Sequence, residues 1–276
     1  RPEGSPGPPM NLILSQGGVE GAPTGIFDMF GADLTIRTDF SVLGGTLRRI
    51  EDLKIADTAD GAVTFTQPAG STAVNNAMRV GYSGHSEQNP RGTFDISGGS
   101  LTVGRELFVG DSSSSYPTFP EGIMRQSGGL VSISDDVFIS GMEPQYASSN
   151  TNRNYIGRYE QSGGTLAIGD DLIIANIKNT EGTFEITDGI LTANDIVVGR
   201  EDGGTTGAWR QSGGSVTVDS IALHGGSHEL SGGSFDFNNR FDLTGTLNLN
   251  GGNASVTAAD SAILEWSQGT LIGNAS

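Results

Sequence analysis

A twelve-residue phrase returns down most of this chain and constrains its fold more than any other feature. It reads Gly-Thr-Phe-Asp-Ile-Ser-Gly-Gly-Ser-Leu-Thr-Val at 92–103, Gly-Arg-Tyr-Glu-Gln-Ser-Gly-Gly-Thr-Leu-Ala-Ile at 157–168 and Gly-Ala-Trp-Arg-Gln-Ser-Gly-Gly-Ser-Val-Thr-Val at 207–218. Self-similarity at a period near twenty residues marks a solenoid, in which each repeat is one coil stacked on the last.

With the second Gly of each turn as the anchor, the repeats fall at Gly45, Gly70, Gly99, Gly129, Gly164, Gly189, Gly214, Gly233 and Gly252, spaced by 25, 29, 30, 35, 25, 25, 19 and 19 residues. The shortest spacing is the bare coil, and the longer ones add insertions. Leu101, Val103, Leu107 and Val109 follow Gly99 as Leu166, Ile168, Leu172 and Ile174 follow Gly164. Nearly all extra length therefore falls after the last strand of one unit and before the aromatic of the next, so the loops leave from one corner. Apolar and polar residues alternate with period two, the pattern of a strand with one buried face. Gly-Gly and Asp-Asp supply the turns. A sandwich also has short strands with regular turns, but it does not repeat one strand–turn–strand phrase with insertions at one place. The expected fold is an all-β, right-handed parallel β-solenoid of nine to ten rungs, roughly 45 Å long at sheet spacing.

Stacking the repeats gives columns. Five residues before each anchor stand Phe40, Phe65, Phe94, Met124, Tyr159, Phe184, Trp209, His228 and Leu247, an inward aromatic ladder. Two residues on, Gln67, Gln126, Gln161 and Gln211 alternate with aliphatic residues, and their amides are expected to bond along the stack. Between these columns an outward one places Arg125 between Asp95 and Glu160, and Arg210 between Glu185 and Glu229, so opposite charges can pair across rungs.

Composition narrows the function. Fifteen basic against 32 acidic residues give a net charge of −17, which argues against nucleic acid and anionic membrane surfaces as partners. With no cysteine there is neither a disulfide framework nor a Cys-based zinc site. No apolar run is long enough to span a membrane. The expected organisation is an extended N-terminal tail and cap over 1–36, a β-solenoid repeat domain over 37–252, and a C-terminal half-rung or cap over 253–276. The Pro- and Gly-rich start, Arg1-Pro-Glu-Gly-Ser-Pro-Gly-Pro-Pro, is not a signal peptide and reads as an exposed tail.

The unit Gln-Ser-Gly-Gly-Thr-Leu-Ala-Ile-Gly-Asp-Asp-Leu-Ile-Ile at 161–174, repeated with variation, resembles the repeats of secreted bacterial autotransporter-like β-solenoids, especially PEP-CTERM-type surface and matrix proteins. The resemblance covers about residues 37–272. It implies an exported protein of the cell surface or extracellular matrix, although the sorting tail and membrane barrel of those families are not in this sequence.

Two groups of residues are candidate sites. Asp52, Glu106, Asp136, Asp171 and Asp195 precede the last strand of their units, and Glu106, Asp136, Asp171 and Asp195 would occupy four consecutive rungs. Carboxylates at sheet spacing repel unless solvated or bridged, and Ca²⁺ prefers such oxygens, with Asp135 and Asp170 adding more. The competing reading is that Asp favours this turn and faces water; Ala77, Ser220 and Arg240 interrupt the column in its favour. The insertions 111–121 and 141–156 carry Tyr116, Phe119, Tyr146 and Tyr155, whose rings could form a platform for glycans, or pack back to order their own loops. His224 and His228 fall on strand positions and read as structural.

No catalytic residue stands out. Lys54 and Lys178 are the only lysines, and neither sits beside an acidic column as a lyase would require. The expectation is a non-catalytic structural protein of the bacterial surface or matrix that self-associates end to end into filaments. It would require no cofactor, with Ca²⁺ as a possible ligand. The alternatives are a glycan-binding adhesion module on the loop side and, further off, a polysaccharide lyase or hydrolase.

Overall fold

The computed structural model describes residues 25–57, 61–83, 89–112, 119–141, 154–200, 204–258, 263–266 and 270–273. Every regular element among them is a β-strand, and all strand pairs are parallel. One rung shows the plan. Arg91–Ile96 forms a first face, Ser100–Val103 a second and Leu107–Ser112 a third. Each pairs in register with its counterparts above and below: Phe94 with Phe65 and Met124, Leu101 with Thr72 and Val131, Leu107 with Met78 and Val137. The fold is thus a parallel β-solenoid, as the repeat implies, and its rungs have three faces. The long insertions lie between the third face of one rung and the first face of the next.

Alternation fills the interior. Phe94, Ile96, Leu101, Val103, Leu107 and Val109 point inward and are almost fully buried. Each such side chain stabilises the fold by roughly 1.5–3 kcal/mol when removed from water. The aromatic ladder forms where the sequence places it. Phe65 and Phe94 stack at 4.7 Å, Tyr159 and Phe184 at 5.2 Å, and Phe184 and Trp209 at 5.0 Å. In-register parallel pairing imposes this face-to-face spacing, because identical positions recur at the strand separation.

Two corners explain the small residues. At the Ser-Gly-Gly corner the second Gly adopts positive φ, +73° at Gly99, where a side chain is strained. At the corner after the third face, Ala56, Gly81, Gly110, Ser140, Ala175 and Gly199 all take positive φ. Against this column lie Gly92, Gly122, Gly157, Gly182 and Gly207. A Cβ on Gly122 would collide with the backbone of Gly110 and Val80, and one on Gly157 with Val109 and Ser140. The five glycines two residues before the aromatic column are therefore a packing requirement of the coil.

The repeat begins earlier and ends differently than expected. Ile26–Ile36 is already a rung: Ile26 pairs with Thr46 and Ile36 with Ile55, so Gly25 occupies the anchor position. It lacks the Ser-Gly-Gly phrase and shifts register between Asp28 and Ala32 and again before Leu34, which hides it from a spacing analysis. At the other end Gly233 pairs with Ala254, not Gly252, after a register shift between Leu230 and Gly232. Ile263–Trp266 completes that rung by pairing with Phe241 and its neighbours, and Thr270–Gly273 begins the next on Leu247.

The glutamine column differs too. The amides do not stack on one another. Nε2 of Gln67, Gln126, Gln161 and Gln211 donates instead to the backbone carbonyl just past the glycine turn of a later rung, Ser100, Thr165, Ile190 and Ser234, at 2.8–3.0 Å. Only Gln126 and Gln161 are neighbours in the column, so most of these amides have no second amide beside them to stack on.

Candidate functional site

The acidic column is in register: Ala77, Glu106, Asp136, Asp171 and Asp195 precede Met78, Leu107, Val137, Leu172 and Ile196, which pair in succession. Its carboxylates act mainly on the backbone. Asp136 Oδ1 accepts the N–H of Asp171 at 3.0 Å, and Asp171 Oδ1 accepts that of Asp195 at 3.1 Å. Asp52 Oδ1 accepts the N–H of Ala77 at 3.2 Å, and Asp33 Oδ1 that of Asp52 at 3.3 Å. These four Asp residues each cap the turn of the rung after them, which is why an acid recurs here; after Asp195 the Ser220 N–H goes instead to Asn194 O at 3.3 Å. Glu106 is buried and pairs with Arg105 at 2.6 Å.

Asp135, Asp136 and Asp170 bring three carboxylate oxygens within 4.8 Å of one another. Crowding has a cost at Asp171, whose pKa rises to about 6 through partial burial first and then through Asp170, Asp195 and Asp136. A divalent cation would relieve this repulsion. The four carboxylates singled out from the sequence do not converge on one point, since they occupy successive rungs.

The aromatic candidates separate. Tyr116 and Tyr146 lie outside the described residues. Phe119 is about half exposed. Tyr155 is not an exposed platform residue: it is 1% exposed, clusters with Ile177, and its hydroxyl donates to Ser112 O at 3.2 Å. Its ring anchors the corner instead of facing a ligand, because the chain entering the first face crosses the positive-φ corner there.

His228 sits in the aromatic column, fully buried. Nδ1 accepts the Trp209 N–H at 3.4 Å, so Nε2 carries the proton and donates to Gly225 O at 2.7 Å. Burial lowers its pKa to about 4. His224 Nδ1 lies 3.1 Å from Thr244 Oγ1. Both histidines are structural, as their positions predict.

The feature not foreseen as a site is a groove of about 560 Å³ along the Ser-Gly-Gly corner, crossing four rungs. One wall is the outward charged column Asp95, Arg125, Glu160 and Glu185; the other is Ser97, Ser127, Ser162 and Thr187. Arg125 Nε bonds Glu160 Oε2 at 3.0 Å, and its Nη1 lies 3.5 Å from Asp95 Oδ1. The expected cross-rung pairing of Arg125 is therefore present, though the second distance is beyond a good hydrogen bond. Asp95 Oδ1 is buried with no hydrogen-bond partner. Ser97, Ser127 and Ser162 are exposed. The serine of each turn is visible in the repeat phrase, but its alignment into a wall beside the charged column appears only once the rungs stack, with Ile96, Gln126 and Gln161 between the two walls.

Compared with protein-family models, curated proteins and solved structures, the chain matches none.

Proposed function

We propose that this chain is a non-catalytic structural block of an exported surface or matrix layer, assembling end to end by strand addition. The observation that carries the reading is the first rung. Among the described residues Ile26–Ile36 pairs with a strand on one edge only, through Thr46–Ile55. Ile26, Phe27 and Phe30 on it are 59%, 39% and 79% exposed. A parallel edge that no described strand covers, carrying apolar side chains, is a template for another strand. Because the two ends of a solenoid differ, a contact between them is head to tail and generates filaments. The acids with identified partners support a structural role: Asp33, Asp52, Asp136 and Asp171 cap backbone turns, and Glu106, Asp95 and Glu160 pair with arginines. The net charge of −17 suits a solvated surface.

Negative-stain electron microscopy of the purified chain over a concentration series, with and without Ca²⁺, tests this. Filaments whose axial repeat matches one solenoid length are the expected result, and filaments that need Ca²⁺ in the parent but not in an Asp135→Asn/Asp170→Asn variant would assign the ion to the Asp135, Asp136 and Asp170 cluster. Isolated short rods at every concentration and in both ionic conditions would overturn the proposal.

A further inference from the structure

We infer that the groove along the Ser-Gly-Gly corner binds an extended, uncharged glycan chain lying parallel to the solenoid axis. The inference does not rest on end-to-end assembly and fails or stands separately from it.

The groove is linear and periodic. Its lining repeats once per rung over four rungs, through the paired positions Asp95, Arg125, Glu160 and Glu185. At sheet spacing it is about 14 Å long, enough for several sugar residues, since a pyranose in an extended β-linked chain advances by a comparable step. Its volume of about 560 Å³ lies within the ordinary range for ligand sites.

Its chemistry is rich in acceptors that need donors. Asp95 Oδ1 has only a long ion pair, 3.5 Å to Arg125 Nη1, and no hydrogen bond. Among the described residues no ion pair engages Glu185, although Arg210 stands opposite it in register. The hydroxyls of Ser97, Ser127 and Ser162 are exposed beside them. Sugar hydroxyls donate to carboxylates and both donate to and accept from serines, so one ligand class satisfies both walls. Lining charges of three acids against one arginine disfavour uronic or sulfated chains. The serine wall favours a glycan over a basic peptide, because it offers no second charge and no side-chain pocket. With no aromatic ring in the lining, a single groove binds weakly. Several grooves on an assembled filament would multiply that affinity by avidity.

The test is a titration of isotope-labelled protein, followed by amide NMR, with four uncharged hexasaccharides: cellohexaose, chitohexaose, laminarihexaose and mannohexaose. Hexalysine and hexagalacturonate are the comparators. At least one uncharged hexamer should shift the amide signals of Ser97, Ser127, Ser162 and Thr187 and leave those of the third face unmoved. The variant Ser127→Ala/Ser162→Ala/Glu185→Ala should weaken that binding at least tenfold. Its melting temperature, compared with the parent, separates lost contacts from lost fold, and Ser127→Ala alone serves if the triple variant unfolds. No shift with any of the four sugars at millimolar concentration overturns the inference. So does hexalysine or hexagalacturonate moving the same signals at lower concentration.

Discussion

At the scale of single residues, the interior holds one polar motif whose completeness varies from rung to rung. Tyr159 Oη donates to Gln126 Oε1 at 2.8 Å in a fully buried setting, and burial pushes the phenol pKa up, so it stays a donor. Thr72 Oγ1 does the same for Gln67 Oε1 at 2.7 Å. Gln161 and Gln211 have no such donor, and their Oε1 atoms are buried without a partner. Phe184 stands to Gln161 as Tyr159 stands to Gln126. Phe184→Tyr is therefore expected to stabilise the protein by about 1 kcal/mol, and Tyr159→Phe to destabilise it by about 1–3 kcal/mol, since an orphaned buried acceptor costs more than a bond returns. Urea denaturation of both variants checks this, and a destabilised Phe184→Tyr would refute the geometry. The glutamine column itself was legible in the sequence. Its partners were not, because they depend on which residue happens to stand across the interior, in the same rung for Thr72 and in the next for Tyr159. A second residue-scale expectation concerns Gly122, enclosed by the backbone of Gly110 and Val80. Backbone cannot rotate aside as a side chain can, so Gly122→Ala should cost about 3 kcal/mol, read as a fall in the urea midpoint at constant slope.

At the scale of elements, turns and columns set how stability depends on pH, and two groups pull in opposite directions. Asp171 titrates at about 6 in the folded state against 3.8 for the ordinary group. Its folded pKa is raised, so the native state binds the proton first and stability rises as pH falls from above 6 towards 4. His228 titrates at about 4 against 6.5. Its folded pKa is depressed, so the unfolded chain binds the proton first. Stability is lost as pH falls from 6.5 towards 4, by up to roughly 3 kcal/mol. Asp171→Asn keeps an oxygen for the Asp195 N–H but removes the repulsion from Asp170, Asp195 and Asp136. It should raise stability at pH 7 and abolish the gain on acidification. His228→Phe keeps a ring in the aromatic column and should remove the acid-side loss. Denaturation free energies from pH 7.5 to 4 on the parent and the two variants separate the contributions. A parent whose profile neither variant alters would show that both shifts are misassigned. The spacing of the acids was readable from sequence, whereas their role as acceptors for the next rung's amides was not. That role exists only once rungs stack and an Asp oxygen meets an N–H some 24–35 residues away.

At the scale of the whole molecule, stability in a solenoid is a sum of rungs and their interfaces, so the interior and the ends obey different constraints. Interior rungs repeat one phrase because each must match two neighbours. The columns Phe94–Met124–Tyr159 and Leu107–Val137–Leu172 are therefore already implied by the sequence spacing. The rungs at Gly25 and Ala254 have weaker constraints on one side, and there the phrase decays and spacing alone misplaces the boundary. The same freedom makes the first rung the place to test assembly. Replacing Ile26 and Phe30 by Lys puts charge on the edge strand, a device that natural sheets use to prevent pairing. Both side chains are exposed, and Phe30 loses only the Arg49 guanidinium stacked over its ring at 4.5 Å, so the melting temperature should fall by no more than a few degrees. Sedimentation velocity at concentrations where the parent associates should show the Ile26→Lys/Phe30→Lys variant as a monomer. A variant that assembles as the parent does would move the contact away from this edge, onto a lateral face. A parent that never associates would leave the groove, and not the ends, as the surface on which this chain acts.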